Sequence, residues 1–568
     1  MRWFAADFET CNAVENIREC YTRVWLWDVF DPVFRIHYTG SEINTFCNWL
    51  FKQKGCILYF HNLKFDGAFL INHLLQNGFM IDDSGADKTI STLITDRLVW
   101  YTFTVYFNGH KYQFRDSAKK ITGSLEQAAI DFDLPIRKGE IQYDLFRDES
   151  YKATKEEISY IHGDTEILAD ILKYYYENQM KSLTNASDAM KTYKEMIGEV
   201  AYAHYFPVVE KEIDDFIRRS YKGGFCYLNP KFANKFLHNI YCYDVKSMYP
   251  SVMAFKPLPY GQPVHYIGKY EKDNQFPLYI QEIEVNCDLK SGHIPSIQTK
   301  SYFSTKLNYL KSTDERLISL VLTSLDLERL LKDYNIHEIR YVQGYKFRSS
   351  LDLFKEYVLK FYELKEKSKG ALKQLYKIFL NSLYGKFAMM TERSQAFPMI
   401  LDGTNKFLKS EKEIVDATYT AVASFITAWA RNKLLSAIYK NIKQFVYCDT
   451  DSIQLIAPAV GLDLGKKLGQ FNLEHGYYNG KEPITQISIA KYLGQKCYIL
   501  GENKDGKILE IKKIAGAPSK VKEEINFKNF RYNFTSDASL YPKFRLKNVK
   551  GGVVLVPTTF TIKEKRVQ

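Results

Sequence analysis

Gln444-Phe445-Val446-Tyr447-Cys448-Asp449-Thr450-Asp451-Ser452-Ile453-Gln454-Leu455-Ile456 is an apolar run that a polar tetrapeptide interrupts. Phe445, Val446 and Tyr447 favour extended chain, as do Ile453, Leu455 and Ile456, while Asp-Thr-Asp-Ser offers the side-chain-to-backbone bonds that turns use. The stretch predicts a β-hairpin with carboxylates at its tip. Alternation along extended chain would point Asp449 and Asp451 the same way, and two like charges held that close are costly unless a cation joins them. A hard divalent ion with oxygen ligands suits such a pair. A solvated acidic turn uses the same letters, so other motifs must decide.

The chain has 568 residues, 46% of them hydrophobic, which is enough apolar material for several cores; three or more domains are expected. Lysine and arginine total 78 against 66 acidic residues, and the net charge of +12 favours a polyanionic partner, nucleic acid first. The nine cysteines contain no C-x-x-C pair, so neither a zinc site nor a disulfide framework is indicated, and a reducing cytosol fits. Asp7 and Glu9 break the N-terminal apolar run, so no signal peptide is expected. No stretch approaches the ~18 uncharged apolar residues of a membrane span, and no membrane partner is expected.

Trp3-Phe4-Ala5-Ala6-Asp7-Phe8-Glu9-Thr10 reads as a buried strand with a second acidic pair on one face. Ile57-Leu58-Tyr59-Phe60 reads as a short strand running into His61-Asn62-Leu63-Lys64-Phe65-Asp66-Gly67-Ala68-Phe69, which places Asp66 near the start of a helix. From Glu156 to Leu168 the apolar spacing is helical and sets Tyr160 and Asp164 one turn apart. Each carboxylate alone fits a surface residue or a cap. Converging from separate elements, they could hold two metal ions about 3.5–4 Å apart, the arrangement that activates water and stabilises the leaving oxygen in phosphodiester hydrolysis.

Asp7-Phe8-Glu9, Asn62-x-x-x-Asp66 and Tyr160-x-x-x-Asp164 resemble the three proofreading exonuclease motifs of family B DNA polymerases. The wording His61-Asn62-Leu63-Lys64-Phe65-Asp66-Gly67 is similar to the protein-primed branch, the phi-29-type polymerases of small linear-genome bacteriophages. The resemblance implies a ribonuclease-H-like 3'-5' exonuclease domain with Asp7, Glu9, Asp66 and Asp164 as metal ligands, Tyr160 orienting water and Lys138 assisting. It also implies that Thr10, His61, Asn62, Phe65, Phe69 and Ser117 hold a single-stranded 3' end.

Tyr221-Lys222-Gly223-Gly224-Phe225 reads locally as a turn whose glycines let backbone approach another chain or a phosphate. It resembles the family's linker, which binds template; Tyr221, Gly223, Gly224 and Phe225 become expected DNA contacts. Tyr241 to Val245 reads as a strand ending at Asp244, followed by a turn into a short helix at Lys246-Ser247-Met248-Tyr249-Pro250. By resemblance Asp244 and Asp451 ligate two Mg2+ ions, with Mn2+ as a substitute; the Val245 carbonyl assists, Asp449 supports the site, Ser247 contacts DNA and the Tyr249 ring excludes ribonucleotides. Gly370 to Phe387 reads as helix, with Lys373, Lys377, Asn381 and Tyr384 in one stripe. A lysine stripe is usually a solvated face, but Asn381-Ser382-Leu383-Tyr384-Gly385-Lys386 resembles the family's nucleotide-binding helix, which assigns Lys377, Asn381 and Tyr384 to the incoming nucleotide, with Lys365 as a second phosphate contact. Thr427 and Arg431 resemble a primer and template contact, and Lys496-Cys497-Tyr498 the K-x-Y motif at the primer end.

The expected fold is α/β (multidomain α+β), an exonuclease domain joined to a right-hand polymerase. The expected division is 1–185 exonuclease, 186–255 palm, 256–350 a first terminal-protein region, 351–387 fingers, 388–416 a second such region, 417–523 palm and 524–568 thumb. The resemblance implies a DNA-directed DNA polymerase with proofreading, protein priming and strand displacement. Its partners would be primer-template DNA, dNTPs, a terminal protein and viral single-strand and double-strand DNA-binding proteins, in the cytoplasm of the infected bacterial host. A stand-alone nuclease with a degenerate second half, against which intact Asp244, Lys377 and Asp451 argue, and a non-enzymatic basic scaffold that binds nucleic acid without turnover are the competing readings.

Overall fold

The computed structural model describes residues 2–11, 22–136, 141, 147, 150–299, 309–416, 418–475, 486–504, 507–537 and 543–564. The N-terminal part builds strands β1 (Trp3–Cys11), β2 (Arg23–Asp31), β3 (Ile36–Gly40), β4 (Cys56–Phe60), β5 (Met80–Ile81), β6 (Thr89–Ile94), β7 (Trp100–Phe107) and β8 (His110–Asp116). They form one sheet in the order β3-β2-β1-β4-β8-β7-β6-β5, with β1, β4 and β8 parallel. A parallel core has to be covered on both faces. Phe4, Ala6 and Phe8 pack with helices α1 (Ile43–Leu50) and α2 (Leu63–Gln76). Ala5 faces the other side, toward α3 (Leu125–Asp131) and α4 (Lys155–Glu177). Thr154 and Glu157 form a capping box that fixes the start of α4.

Helices α5 (Asn185–Ile197), α6 (Glu199–Tyr205) and α7 (Lys211–Ser220) lead into β9 (Cys226–Leu228), β10 (Phe236–Val245) and α8 (Met248–Phe255). Next comes the small sheet β11-β14-β12-β13, built from β11 (Leu258–Ile267), β12 (Leu278–Leu289), β13 (Ile318–Thr323) and β14 (Tyr334–Ser350), with α9 (Ser324–Asp333) against it. Helices α10 (Lys355–Lys367) and α11 (Gly370–Ser382) lie side by side, their Phe361 and Phe379 rings stacked at 4.7 Å. The helix expected to reach Phe387 ends earlier: α11 stops at Ser382 and the chain tightens into a 3-10 turn over Tyr384–Ala388.

After α11 come short strands β15 (Glu392–Arg393), β16 (Ala396–Leu401), β17 (Thr404–Lys409) and β18 (Glu413–Ile414), then α12 (Thr420–Lys440), a helix buried almost all round. Strands β19 (Phe445–Asp449), β20 (Ser452–Leu455), β21 (Phe471–His475), β22 (Gln486–Gly494), β23 (Cys497–Lys504) and β24 (Lys507–Ile514) complete the second large sheet, ordered β24-β23-β22-β10-β20-β19-β9 with β21 also on β10. Helix α13 (Ser519–Glu524) precedes a final hairpin of β25 (Lys543–Val549) and β26 (Gly552–Thr558). Val521, Ile525, Phe530 and Ile562 pack with Leu493, Ile499 and Ile514, anchoring the C-terminal segment to the second sheet.

One core runs from Ala5 and α4 through α5 to α8, α10, α11 and α12, so the two halves are packed together rather than tethered. Three tips also meet. The Gly551 amide donates to the Gly403 carbonyl at 2.8 Å, the Gln76 side chain donates to the Gly551 carbonyl at 2.8 Å, and the Asp96 amide donates to the Ser394 carbonyl at 3.1 Å. The N-terminal unit, the β16–β17 hairpin and the β25–β26 hairpin thus close a ring of contacts.

Candidate active sites

The hairpin read from residues 444–456 forms, and its tip differs from the expectation. Asp449 pairs with Ser452, leaving Thr450-Asp451 as the turn, and Thr450 adopts a left-handed φ of 61°. Asp449 and Asp451 are therefore not successive inward residues of one extended strand; a reversal of the chain separates them. That reversal carries Asp451 toward β10, where the Val245 amide donates to the Asp451 carbonyl at 2.9 Å and Asp244 pairs with Ser452.

The electrostatics follow from this meeting. Burial, then the charge of Asp451, then that of Glu474 push the Asp244 carboxyl up to about 7, with Lys246 opposing. Burial likewise raises Asp451 to about 6, with Asp449 and Glu474 adding to it and Lys496 opposing. Carboxylates held this unfavourably form a hard oxygen donor set that a divalent cation would neutralise. Glu474 on β21 was not singled out from sequence. Nothing near it in the chain marks it, since only the β10–β21 pairing brings it to Asp244.

The turn is braced from behind. The Thr450 amide donates to the Phe225 carbonyl at 2.8 Å, and Gly224 leaves the space that the Thr450 side chain fills. Arg431 donates to the carbonyls of Lys222 at 2.8 Å and Gly223 at 3.0 Å while holding both oxygens of Asp326. Expected as an open strand contact, Arg431 is instead 2% exposed, Thr427 is buried with its hydroxyl on the Ala423 and Ser424 carbonyls, and Phe225 lies in the core. In this conformation Arg431 braces the linker beside the site, while the Thr427 hydroxyl is held within α12.

Around the hairpin, Tyr249 and Tyr384 meet with ring centroids 4.3 Å apart, and Tyr221 is raised by burial and by Tyr384 beside it. Ser247, at φ 50°, starts α8. Lys377 and Asn381 sit on the exposed side of α11 opposite buried Leu375 and Phe379. Lys365 lies over the Tyr362 ring at 4.5 Å and pairs with Glu366. The Lys496 ammonium stands 3.6 Å from Asp449, its amide donates to the Tyr447 hydroxyl oxygen at 3.0 Å, and Tyr498 packs on Tyr447.

A second acidic site lies in the N-terminal unit. Asp7 and Glu9 are on β1, Asp66 is in the first turn of α2, and Tyr160 and Asp164 are buried on α4, which packs on β1. Burial, then Asp7, then Glu9 hold the Asp66 carboxyl well above its ordinary value. Its Oδ1 is buried with no hydrogen-bond partner among the described residues. Lys138 lies outside the described residues.

The flanking segments are tied together by Asp116, whose Oδ1 accepts from the amides of Asn62 at 3.0 Å, Leu63 at 3.2 Å and Ala118 at 3.0 Å. Sequence placed Asp116 beside Ser117 without giving it this role. His61 bridges Ser117 Oγ at 3.1 Å and the Gly123 carbonyl at 2.9 Å. Asn62 is exposed in a left-handed conformation and Phe65 is half-buried, whereas Thr10, Phe69 and Ser117 are buried.

The profile of "DNA polymerase type B, organellar and viral" matches residues 47–152 and 146–457. The DNA polymerase of Bacillus phage phi29 is 37% identical, covering 99% of each chain, and that of Streptococcus phage Cp-1 is 32% identical over the same shares. The chain belongs to the type B DNA polymerases of the phi29 kind. Its whole fold agrees: Phi29 DNA polymerase complexed with single-stranded DNA superposes at a TM-score of 0.90 with 35% identity, covering 99% of this chain and all of that one. The ternary complex of the same protein, with primer-template DNA and incoming nucleotide substrates, gives 0.88. This polymerase therefore has the mixed α/β architecture expected of an exonuclease and a right-hand polymerase in one chain, and among its described helices none is long and apolar enough to cross a membrane.

Proposed function

We propose that this polymerase copies a linear viral genome in the cytoplasm of an infected bacterium, starting from a hydroxyl of a terminal protein, displacing the non-template strand and proofreading with a 3'-5' exonuclease. The observation that carries the reading is the pair of separate carboxylate sites: Asp244 with Asp451 on the second sheet, and Asp66 with Asp7 and Glu9 on the first. At each, two Mg2+ ions, or Mn2+ in their place, would lower the pKa of the attacking oxygen and neutralise charge on the phosphoryl group.

The chain's own residues would position substrates. Tyr384 and Asn381 would sit at the nascent base pair, Tyr249 beneath the sugar, and Lys377 and Lys365 on the triphosphate; Lys496 and Tyr498 would hold the primer end. In the exonuclease site Asn62, Phe65 and His61 would hold the frayed strand while Tyr160, with Lys138, orients water against Asp164. Primer-template DNA and nucleotides are the ligands named for the solved phi29 relative, and they are the substrates proposed here. The 256–350 and 388–416 segments would meet the terminal protein and duplex DNA, alongside viral single-strand and double-strand DNA-binding proteins. The ring closed by Gly403, Gly551 and Gln76 supports strand displacement, because a passage wide enough for one strand would peel the other away.

A labelled primer-template with Mg2+ tests the reading directly. Extension with dNTPs and shortening without them is the expected result. Shortening alone would reduce the protein to a nuclease, and neither would make it a binding protein.

A further inference from the structure

Asp116 closes strand β8 and faces Phe60, the last residue of β4, across their parallel pairing. The two strands therefore end side by side. The chain leaving each one carries residues proposed to hold a single-stranded 3' end: His61, Asn62 and Phe65 after β4, and Ser117 after β8. The carboxyl ends of parallel strands are also where open α/β sheets receive their ligands. Asp116 is 4% exposed, and its carboxylate lies between the two departing segments.

An aspartate at the end of a strand ordinarily caps its own turn, and Asp116 does so through the Ala118 amide at 3.0 Å. Its other backbone bonds reach a different element. The same oxygen accepts from the Asn62 amide at 3.0 Å and the Leu63 amide at 3.2 Å, 54 and 53 residues earlier in the chain. Those are the first donors of α2, and asparagine at the N-cap position commonly bonds such orphan amides with its own side chain. Asn62 makes no side-chain cap bond; its φ is 70° and it is exposed. Asp116 thus takes over the cap and leaves the Asn62 carboxamide at the surface. The Lys119 ammonium balances the charge, 2.9 Å from the second Asp116 oxygen, and His61 Nδ1 lies 3.1 Å from Ser117 Oγ as a second tie between the segments.

We propose that Asp116 is a positioning residue of the exonuclease site, an inference that rests on the exonuclease reading above. With Oδ1 committed to three amides and Oδ2 to Lys119, it would act not on the substrate but through Asn62 and α2. It would hold both strand-binding segments at a fixed separation from Asp66 in the first turn of that helix. A charged acceptor suits the task because its bonds to amides are shorter and stronger than those of a neutral group. A displacement of about 1 Å at a reacting group can cost ~100-fold in rate.

Single-turnover degradation of a 5'-labelled single-stranded oligonucleotide by excess enzyme with Mg2+ tests this, with primer extension as the control for folding. Asp116→Asn keeps the volume and one acceptor oxygen while losing the charge. It should slow the exonuclease rate about 10-fold, and Asp116→Ala about 100-fold, each at full amplitude and with extension within about twofold of the parent. A lesion of folding alone would lower the amplitude and leave the rate of the folded molecules unchanged. Asn62→Ala combined with Asp116→Asn should lose less than the product of the two single losses, because one change removes what the other positioned. Parental rates in both Asp116 variants, a loss confined to amplitude in Asp116→Asn, or strictly multiplicative losses would reduce Asp116 to a cap and overturn the role. A parent that shortens no strand would instead refute the exonuclease reading itself. Asp116→Asn decides where the alanine variant does not fold.

Discussion

Gly224 has no side chain where Thr450 packs: a Cβ built there would stand 2.7 Å from the Thr450 hydroxyl oxygen and 2.9 Å from its methyl carbon. Threonine is stiff at χ1 and its backbone is pinned to Phe225, so it cannot yield cheaply. Gly224→Ala should therefore shift the Thr450-Asp451 turn and lower the rate of extension about 10-fold or more while sparing exonuclease turnover, with the loss in kcat rather than in DNA affinity. Unchanged single-turnover extension would show that the linker does not position Asp451.

The two acidic sites are built from different elements, and their losses should be independent. Asp451→Ala is expected to abolish extension and leave primer shortening intact. Asp7→Ala with Asp66→Ala should do the reverse. Loss of both activities in either folded variant would contradict two separate centres.

Asp244 and Asp451 titrate upward in the folded chain, to about 7 and about 6. A carboxyl whose folded pKa is raised binds its proton more tightly folded than unfolded, so stability is full below the unfolded value near 4 and falls as pH rises through the folded value. Without divalent ions, Asp244→Asn should raise Tm at pH ~8 by about 2 °C and have little effect at pH ~4. Added Mg2+ should stabilise the parent more at pH ~8 than at pH ~5.5, because protons compete for the same oxygens. Calorimetry across that range checks the sign.

Replacing the β16–β17 hairpin by a short Gly-Ser link would open the ring at Gly403 and Gly551. Filling of single-stranded template should persist, whereas synthesis should stall at the first duplex and products should shorten when enzyme is limiting. Each incorporated nucleotide gains about the ~1.4 kcal/mol of stacking that the opened base pair loses, so geometry rather than energy sets the outcome. Undiminished copying through long duplex under a trap would move strand displacement to another part of the chain.

The proposed reading has Tyr249, which rests against Tyr384, narrow the 2'-side of the nucleotide pocket. Tyr249→Val should relax the preference for deoxyribonucleotides by about 10-fold or more. Equal discrimination in competitive incorporation would place the selection elsewhere.

The sequence alone determined the elements and the carboxylates they carry, because those signals are local. Strand propensity around Asp-Thr-Asp-Ser, the burial of Ala5 and Phe8 on opposite faces of β1, and the Tyr160–Asp164 helical spacing each act within a few residues. Only the tertiary structure decided what depends on register between distant strands. The left-handed Thr450 that swings Asp451 toward Asp244, the arrival of Glu474 from β21, the three amides gathered by Asp116 and the burial of Arg431 on Asp326 all join residues far apart in the chain.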